Sequence, residues 1–139
     1  MKNSILITVA IFAALVSLFP SCKKGNKCDA GTGGNVTVIA TLKHHSKIIP
    51  SQANYLDTVY VKFNTSDFPG SDIASYDAYF VGSISEIPVR ITGLKCGQYY
   101  LYGAGFDTVL SDRVKGGVPF STELESGEVS INIPVTEVH

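Results

Sequence analysis

The chain predicts an all-β domain, an antiparallel β-sandwich of about seven strands, on three observations. Short runs alternate apolar and polar residues with a period of two, the mark of a strand with one buried face. Clusters rich in glycine, proline and serine fall between these runs, where a chain reverses. No stretch combines three-four apolar spacing with a cap, so no long helix is expected, and residues 71–77 form one helical turn at most.

Before the strands comes a different kind of segment. Residues 5–19 are an almost unbroken apolar run behind Lys2, closed by Ser21 and then Cys22-Lys23-Lys24. The run, about 15 residues, is short for a membrane span, which takes roughly 20. With its basic start and the small residue before Cys22, it resembles a bacterial lipoprotein signal peptide over residues 1–21. That resemblance implies that Cys22 becomes the lipidated first residue. An ordinary cleaved signal and an uncut anchor are the other readings. Residues 22–34 are mostly glycine, lysine and small polar residues with almost nothing to bury, which reads as a flexible tether. Residues 35–139 then form the sandwich domain.

The strand pattern starts at Asn35, with Val36, Val38, Ala40 and Leu42 on one face. Val59, Val61 and Phe63 share the next face, with Tyr60 and Lys62 opposite. Ala78 with Phe80, and Val89 with Ile91, continue the alternation. Tyr99, Leu101 and Gly103 alternate with Tyr100, Tyr102 and Ala104. Val129, Ile131, Ile133 and Val135 form the cleanest strand. Turn signals separate the runs: His44-His45-Ser46, Phe68-Pro69-Gly70-Ser71, Lys95-Cys96-Gly97, Lys115-Gly116-Gly117 and Glu125-Ser126-Gly127.

Composition narrows the partners. Eleven basic and 12 acidic residues are interspersed, so no basic stripe points to nucleic acid and no acidic tail to a charge-driven partner. With no Trp and one Met, at position 1, the core must come from Val, Ile, Leu, Phe and Tyr. If Cys22 carries lipid, Cys28 and Cys96 remain together in an oxidising compartment, where a pair usually joins. Two free thiols is the competing reading. A bond closing that loop stabilises by about 4 kcal/mol on the chain-entropy model.

Val89-Arg90-Ile91-Thr92-Gly93-Leu94-Lys95-Cys96-Gly97-Gln98-Tyr99 holds an Ile-x-Gly-Leu-x-x-Gly-x-Tyr phrase. It resembles the paired strands of transthyretin-like (prealbumin-like) sandwiches such as carboxypeptidase regulatory-like domains. The resemblance implies that Gly97 makes the turn and that Tyr99 forms a corner, its hydroxyl returning to backbone a few residues upstream. Those domains usually carry proline where Cys96 stands, a departure that fits a disulfide there. Residues 35–137 also resemble small Bacteroidetes lipoproteins of unknown function. The shared phrases are Val59-Tyr60-Val61-Lys62-Phe63, residues 93–100, Gly116-Gly117-Val118-Pro119 and Ile133-Pro134-Val135-Thr136-Glu137. This resemblance implies a fold and a place, the cell envelope; Lys23 and Lys24 lack the acidic character associated with surface export in this group, so a lipid anchor in the outer membrane facing the periplasm is expected. It carries no activity.

Candidate chemistry is sparse. His44-His45 is the only concentration of metal-ligand character. Adjacent strand residues point to opposite faces, so both can bind one ion only if the chain bends there; a polar hairpin turn is the plainer reading. No carboxylate lies within a few positions, and His139 is the last residue. The oxygen-rich stretch from Asn64-Thr65-Ser66-Asp67 to Asp72 and Asp77 lacks the spacing of a calcium loop and reads as a solvated connection. There is no Gly-x-Ser-x-Gly elbow, phosphate-cradling glycine loop or His-Glu-x-x-His. Glu86, Glu123, Glu125, Glu128 and Glu137 read as solvated charges at strand ends. Enzyme activity and a cofactor are therefore not expected.

Tyr60, Tyr100 and Tyr102 occupy the phase opposite the core residues, and if exposed they make a binding face for a glycan or protein. The plainer reading is paving of an outer sheet face by residues that favour strands. Asp57-Thr58-Val59 and Asp107-Thr108-Val109 fit the short acceptor that Bacteroidetes glycosylate, making Thr58 and Thr108 candidate O-glycosylation sites. The leading expectation is a lipid-anchored, non-enzymatic accessory or interaction module, its partners the membrane through Cys22 and an envelope protein or glycan. A small-ligand or metal-binding module using the His44-His45 turn or the tyrosine face is the alternative.

Overall fold

The computed structural model describes residues 28–84 and 86–138. Among these residues eight strands carry the fold: β1 (Thr32–His44), β2 (Lys47–Ile48), β3 (Thr58–Phe63), β4 (Ala78–Val81), β5 (Val89–Leu94), β6 (Gly97–Asp107), β7 (Asp112–Thr122) and β8 (Ser126–Glu137). Among the described residues there is no α-helix. One 3-10 turn, Ile73–Ser75, is capped by the Asp72 carboxylate, which accepts from the Ala74 amide. It falls inside the stretch where a single helical turn was expected.

The strands hydrogen-bond in the order β2-β1-β8-β7-β6-β3-β4, with β5 also paired to β1. Two features depart from the expected antiparallel sandwich. β1 and β8 run parallel, in register from Asn35↔Ser126 to His44↔Val135. β7 and β8 also join, at Val114↔Glu137 and Lys115↔Thr136, so the strands form one curled, mixed sheet shaped as a half-barrel. Alternation along a strand is the same whichever way its neighbour runs, so it carries no information about direction. Here the whole of β2–β7 serves as the long crossover that a parallel pair requires.

The core lies in the hollow of the curl. Val36, Val38, Ala40 and Leu42 of β1, Val89, Ile91 and Leu94 of β5, and Ile133 and Val135 of β8 are buried there. Val59 and Val61 of β3, Tyr99 and Leu101 of β6, and Val114 and Phe120 of β7 belong to the same cluster. The inward phase of each alternating run is thus the one the sequence marks. Lys115-Gly116-Gly117 is the exception among the turn signals, because it lies inside β7. A Cβ on Gly116 would sit 2.2 Å from the Pro134 carbonyl oxygen. The glycine there admits the backbone of β8 where the sheet bends, instead of reversing the chain.

The far end of the expected tether is docked. β1 begins at Thr32, ahead of Asn35, and Ala30 is buried. The Lys95 amide donates to the Gly31 carbonyl at 2.9 Å, and the Ala30 amide donates to Asn64 Oδ1 at 3.0 Å. Cys28 and Cys96 are at disulfide distance, their Cα atoms 5.0 Å apart. Gly97 makes this approach feasible, since a Cβ there would lie 2.5 Å from the Ala30 nitrogen. Residues 28–34 therefore belong to the domain, while Cys22 and the apolar run lie outside the described residues.

Tyr99 closes the same end. Its ring is fully buried, and its hydroxyl donates to the Lys95 carbonyl at 2.7 Å, four residues upstream. The same oxygen accepts from the Gly31 amide at 3.1 Å. This is the tyrosine corner implied by the Leu-x-x-Gly-x-Tyr phrase, and it also clamps the segment that leads into β1.

Candidate functional site

At the opposite end of β1 the chain turns back on itself through His45 and Ser46, with His44 paired to Lys47. Both turn residues have positive φ, 46° and 68°. A two-residue hairpin loop of that kind suits strand twist but normally takes Asn-Gly, because a side chain in this region costs about 1–2 kcal/mol per residue. The bend cancels the alternation that would separate neighbouring side chains. As a result the His44 and His45 rings lie 4.2 Å apart between centroids.

Two carboxylates distant in sequence reach this turn. β8, parallel to β1, ends beside it and supplies Glu137; β6 ends there too and supplies Asp107. His44 is 2% exposed, and its Nδ1 lies 2.7 Å from Asp107 Oδ2. Its Nε2 lies 3.2 Å from Glu137 Oε1 yet makes no hydrogen bond with proper geometry. Glu137 Oε1 is also 3.6 Å from Nε2 of His45, a residue whose side chain is 72% exposed. Asp107 is held in turn by the Val109 and Leu110 amides, which donate to its Oδ1 at 2.8 and 3.3 Å.

Electrostatics agree with this arrangement. The hydrogen bond to Asp107 raises the His44 pKa above its ordinary value against the opposing effect of burial, and Glu137 adds to the rise. Asp107 is held below the usual carboxylate range, chiefly by His44. Glu137 is lowered too, first by a backbone hydrogen bond and then by His44. Ligand-type atoms of His44, His45 and Glu137 all lie within 4.8 Å of one another, the only such group of three among the described residues. A cleft of about 210 Å³ opens beside them, walled by Ile48, Ile49, Pro50, Val109 and Leu110. Glu137 is thus no solvated strand-end charge. Neither it nor Asp107 could have been assigned to the histidines from sequence, since only the β1–β8 and β1–β6 packing brings them there.

The tyrosine face is covered rather than open. Tyr100 and Tyr102 are 8% and 5% exposed, and Tyr60 is half-buried. The connection between β3 and β4 folds over them. Phe68 packs 5.6 Å from both Tyr100 and Tyr102, and Tyr76 stacks on Tyr102 at 5.5 Å and approaches Tyr60 at 5.9 Å. Phe68 and Tyr76 give the connection an apolar underside, so it is more than a solvated loop. Two of its acids are engaged locally: Asp72 caps the 3-10 turn, and Asp77 accepts from the Phe63 amide and pairs with Lys62 at 3.0 Å. Thr58 is half-buried in β3 between β4 and β6, whereas Thr108 is exposed in the turn after β6.

In the sequence Asp57 stands out only as part of an acceptor motif. It is fully buried at the entry to β3, and neither carboxylate oxygen has a hydrogen-bond partner. Its amide donates to Ser51 Oγ at 3.0 Å and its carbonyl accepts from the Gly82 amide at 2.7 Å, so the backbone is held while the carboxyl is left in apolar surroundings. Burial pushes its pKa up to about 7.

No protein-family profile, curated protein or solved structure matches the chain.

Proposed function

We propose that the chain is a lipid-anchored protein of the cell envelope, a non-enzymatic accessory or interaction module related to transthyretin-like sandwiches. In this reading Cys22 carries the lipid and the domain faces the periplasm from the outer membrane. The observation that carries it is the pairing of Cys28 with Cys96, which fits an exported protein in an oxidising compartment. The tyrosine corner supports the transthyretin-like relationship.

The same pairing gives the module a direction. Residue 28 is pinned beside Gly97 at one end. β1 then runs 13 residues to His44, roughly 40 Å of strand at about 3.3 Å per residue. The anchor end is thereby kept away from the His44–His45 end, which is presented to envelope partners, protein or glycan. Exposed Thr108, at that far end, is the better placed of the two acceptor threonines for an O-linked glycan.

The test is radiolabelled palmitate incorporation in the native host. The wild-type chain is expected to label and Cys22→Ala to lose the label. Labelling that persists unchanged in Cys22→Ala refutes the anchor.

A further inference from the structure

We propose that His44 Nε2, His45 Nε2 and Glu137 Oε1 form a binding site for one divalent transition-metal ion of the zinc class, with Asp107 as the residue that positions His44. This goes beyond the envelope reading and does not depend on it.

Distance is the first argument. A tetrahedral ion with nitrogen and oxygen ligands at about 2.0–2.1 Å sets neighbouring ligand atoms about 3.3 Å apart. Glu137 Oε1 lies 3.2 Å from His44 Nε2 and 3.6 Å from His45 Nε2, and all three ligand-type atoms fall within 4.8 Å of one another.

The second argument is the state of His44. Its Nε2 is buried and without a hydrogen-bond partner, although Glu137 Oε1 lies 3.2 Å away. With Nδ1–H donating to Asp107, the neutral ring keeps its lone pair on Nε2, the nitrogen that lies beside Glu137. A carboxylate behind a histidine in this way fixes both tautomer and ring orientation in metal sites. A protonated His44 bridging two carboxylates would account for Asp107 and Glu137. It gives no role to His45, whose left-handed turn conformation lays its ring against the cluster.

Donor chemistry selects the ion. Two imidazole nitrogens and one carboxylate suit zinc and its first-row neighbours, whereas calcium and magnesium prefer oxygen alone. Three protein ligands leave a fourth position for water or for a donor from a partner.

The test is titration with Co²⁺, a coloured stand-in for zinc, on the full chain in detergent with the disulfide intact and Cys22→Ala to remove the free thiol. One equivalent is expected to produce the strong visible bands of four-coordinate cobalt, bleached by one equivalent of Zn²⁺. His45→Asn keeps the fold, because that side chain is 72% exposed and asparagine tolerates positive φ; it is expected to weaken Co²⁺ binding at least about tenfold. Asp107→Asn keeps an acceptor for the Val109 and Leu110 amides and is expected to weaken binding about 10–100-fold. Circular dichroism confirms that each variant is folded. Absence of saturable Co²⁺ binding, or binding equal in wild type, His45→Asn and Glu137→Gln, overturns the proposal.

Discussion

Replacing Asp57 with asparagine removes one buried charge while nearly preserving shape. In the folded chain the carboxyl pKa rises from 3.8 to about 7 because burial disfavours the anion. The surrounding groups, Ser51 Oγ, Gly82, Leu42 and the Gly105 backbone, bring no opposing charge. A raised acid pKa means that the folded state holds a proton which the unfolded chain has already released. Asp57 therefore favours folding most below about pH 4, and that advantage drains away as pH rises to about 7. At about 1.4 kcal/mol per pKa unit the full loss is about 4 kcal/mol. Asparagine carries no such dependence, although its amide is left as poorly paired as the protonated acid. Urea unfolding of both proteins from pH 4 to pH 8, with the disulfide intact, is the assay. The two should be similar near pH 4, and Asp57→Asn should be the more stable by several kcal/mol at pH 8. Other titrating groups are common to both chains and cancel in the difference. A stability difference that stays constant across this range refutes the reasoning.

Two further perturbations address the anchor end. Tyr99→Phe strands the Lys95 carbonyl and the Gly31 amide and should cost about 1–3 kcal/mol in urea unfolding; a loss under about 0.5 kcal/mol, typical of surface changes, would mean the corner contributes nothing. Thiol counting on denatured, non-reduced Cys22→Ala protein should find no reactive cysteine, and replacing Cys28 and Cys96 by serine should cost about 4 kcal/mol. Two titratable thiols would show that the pair does not bond.

Much of the local structure is legible in the sequence because its causes are local. A half-buried strand must place apolar groups at every second residue, so Val36, Val38, Ala40 and Leu42 announce both a strand and its inward face. The Tyr99 corner is similarly short-range, its hydroxyl reaching a carbonyl only four residues back. The Cys28–Cys96 pairing spans 68 positions, yet was anticipated by chemistry, since few cysteines remain to pair in an oxidising compartment.

What the sequence could not determine depends on which segments meet. Period two places Tyr100 and Tyr102 on the outer face of β6 but is silent on whether Phe68 and Tyr76 will cover that face. Lys115-Gly116-Gly117 carries the composition of a turn, and only the nearness of Pro134 explains glycine in the middle of a strand. Most of all, His44 lies 63 positions from Asp107 and nearly a hundred from Glu137. Their convergence follows from β1 pairing in parallel with the last strand, so that both run to the same end, and from β6 ending beside them. Residue types supply the chemistry of that cluster; strand direction, a property of the assembled sheet, supplies its geometry.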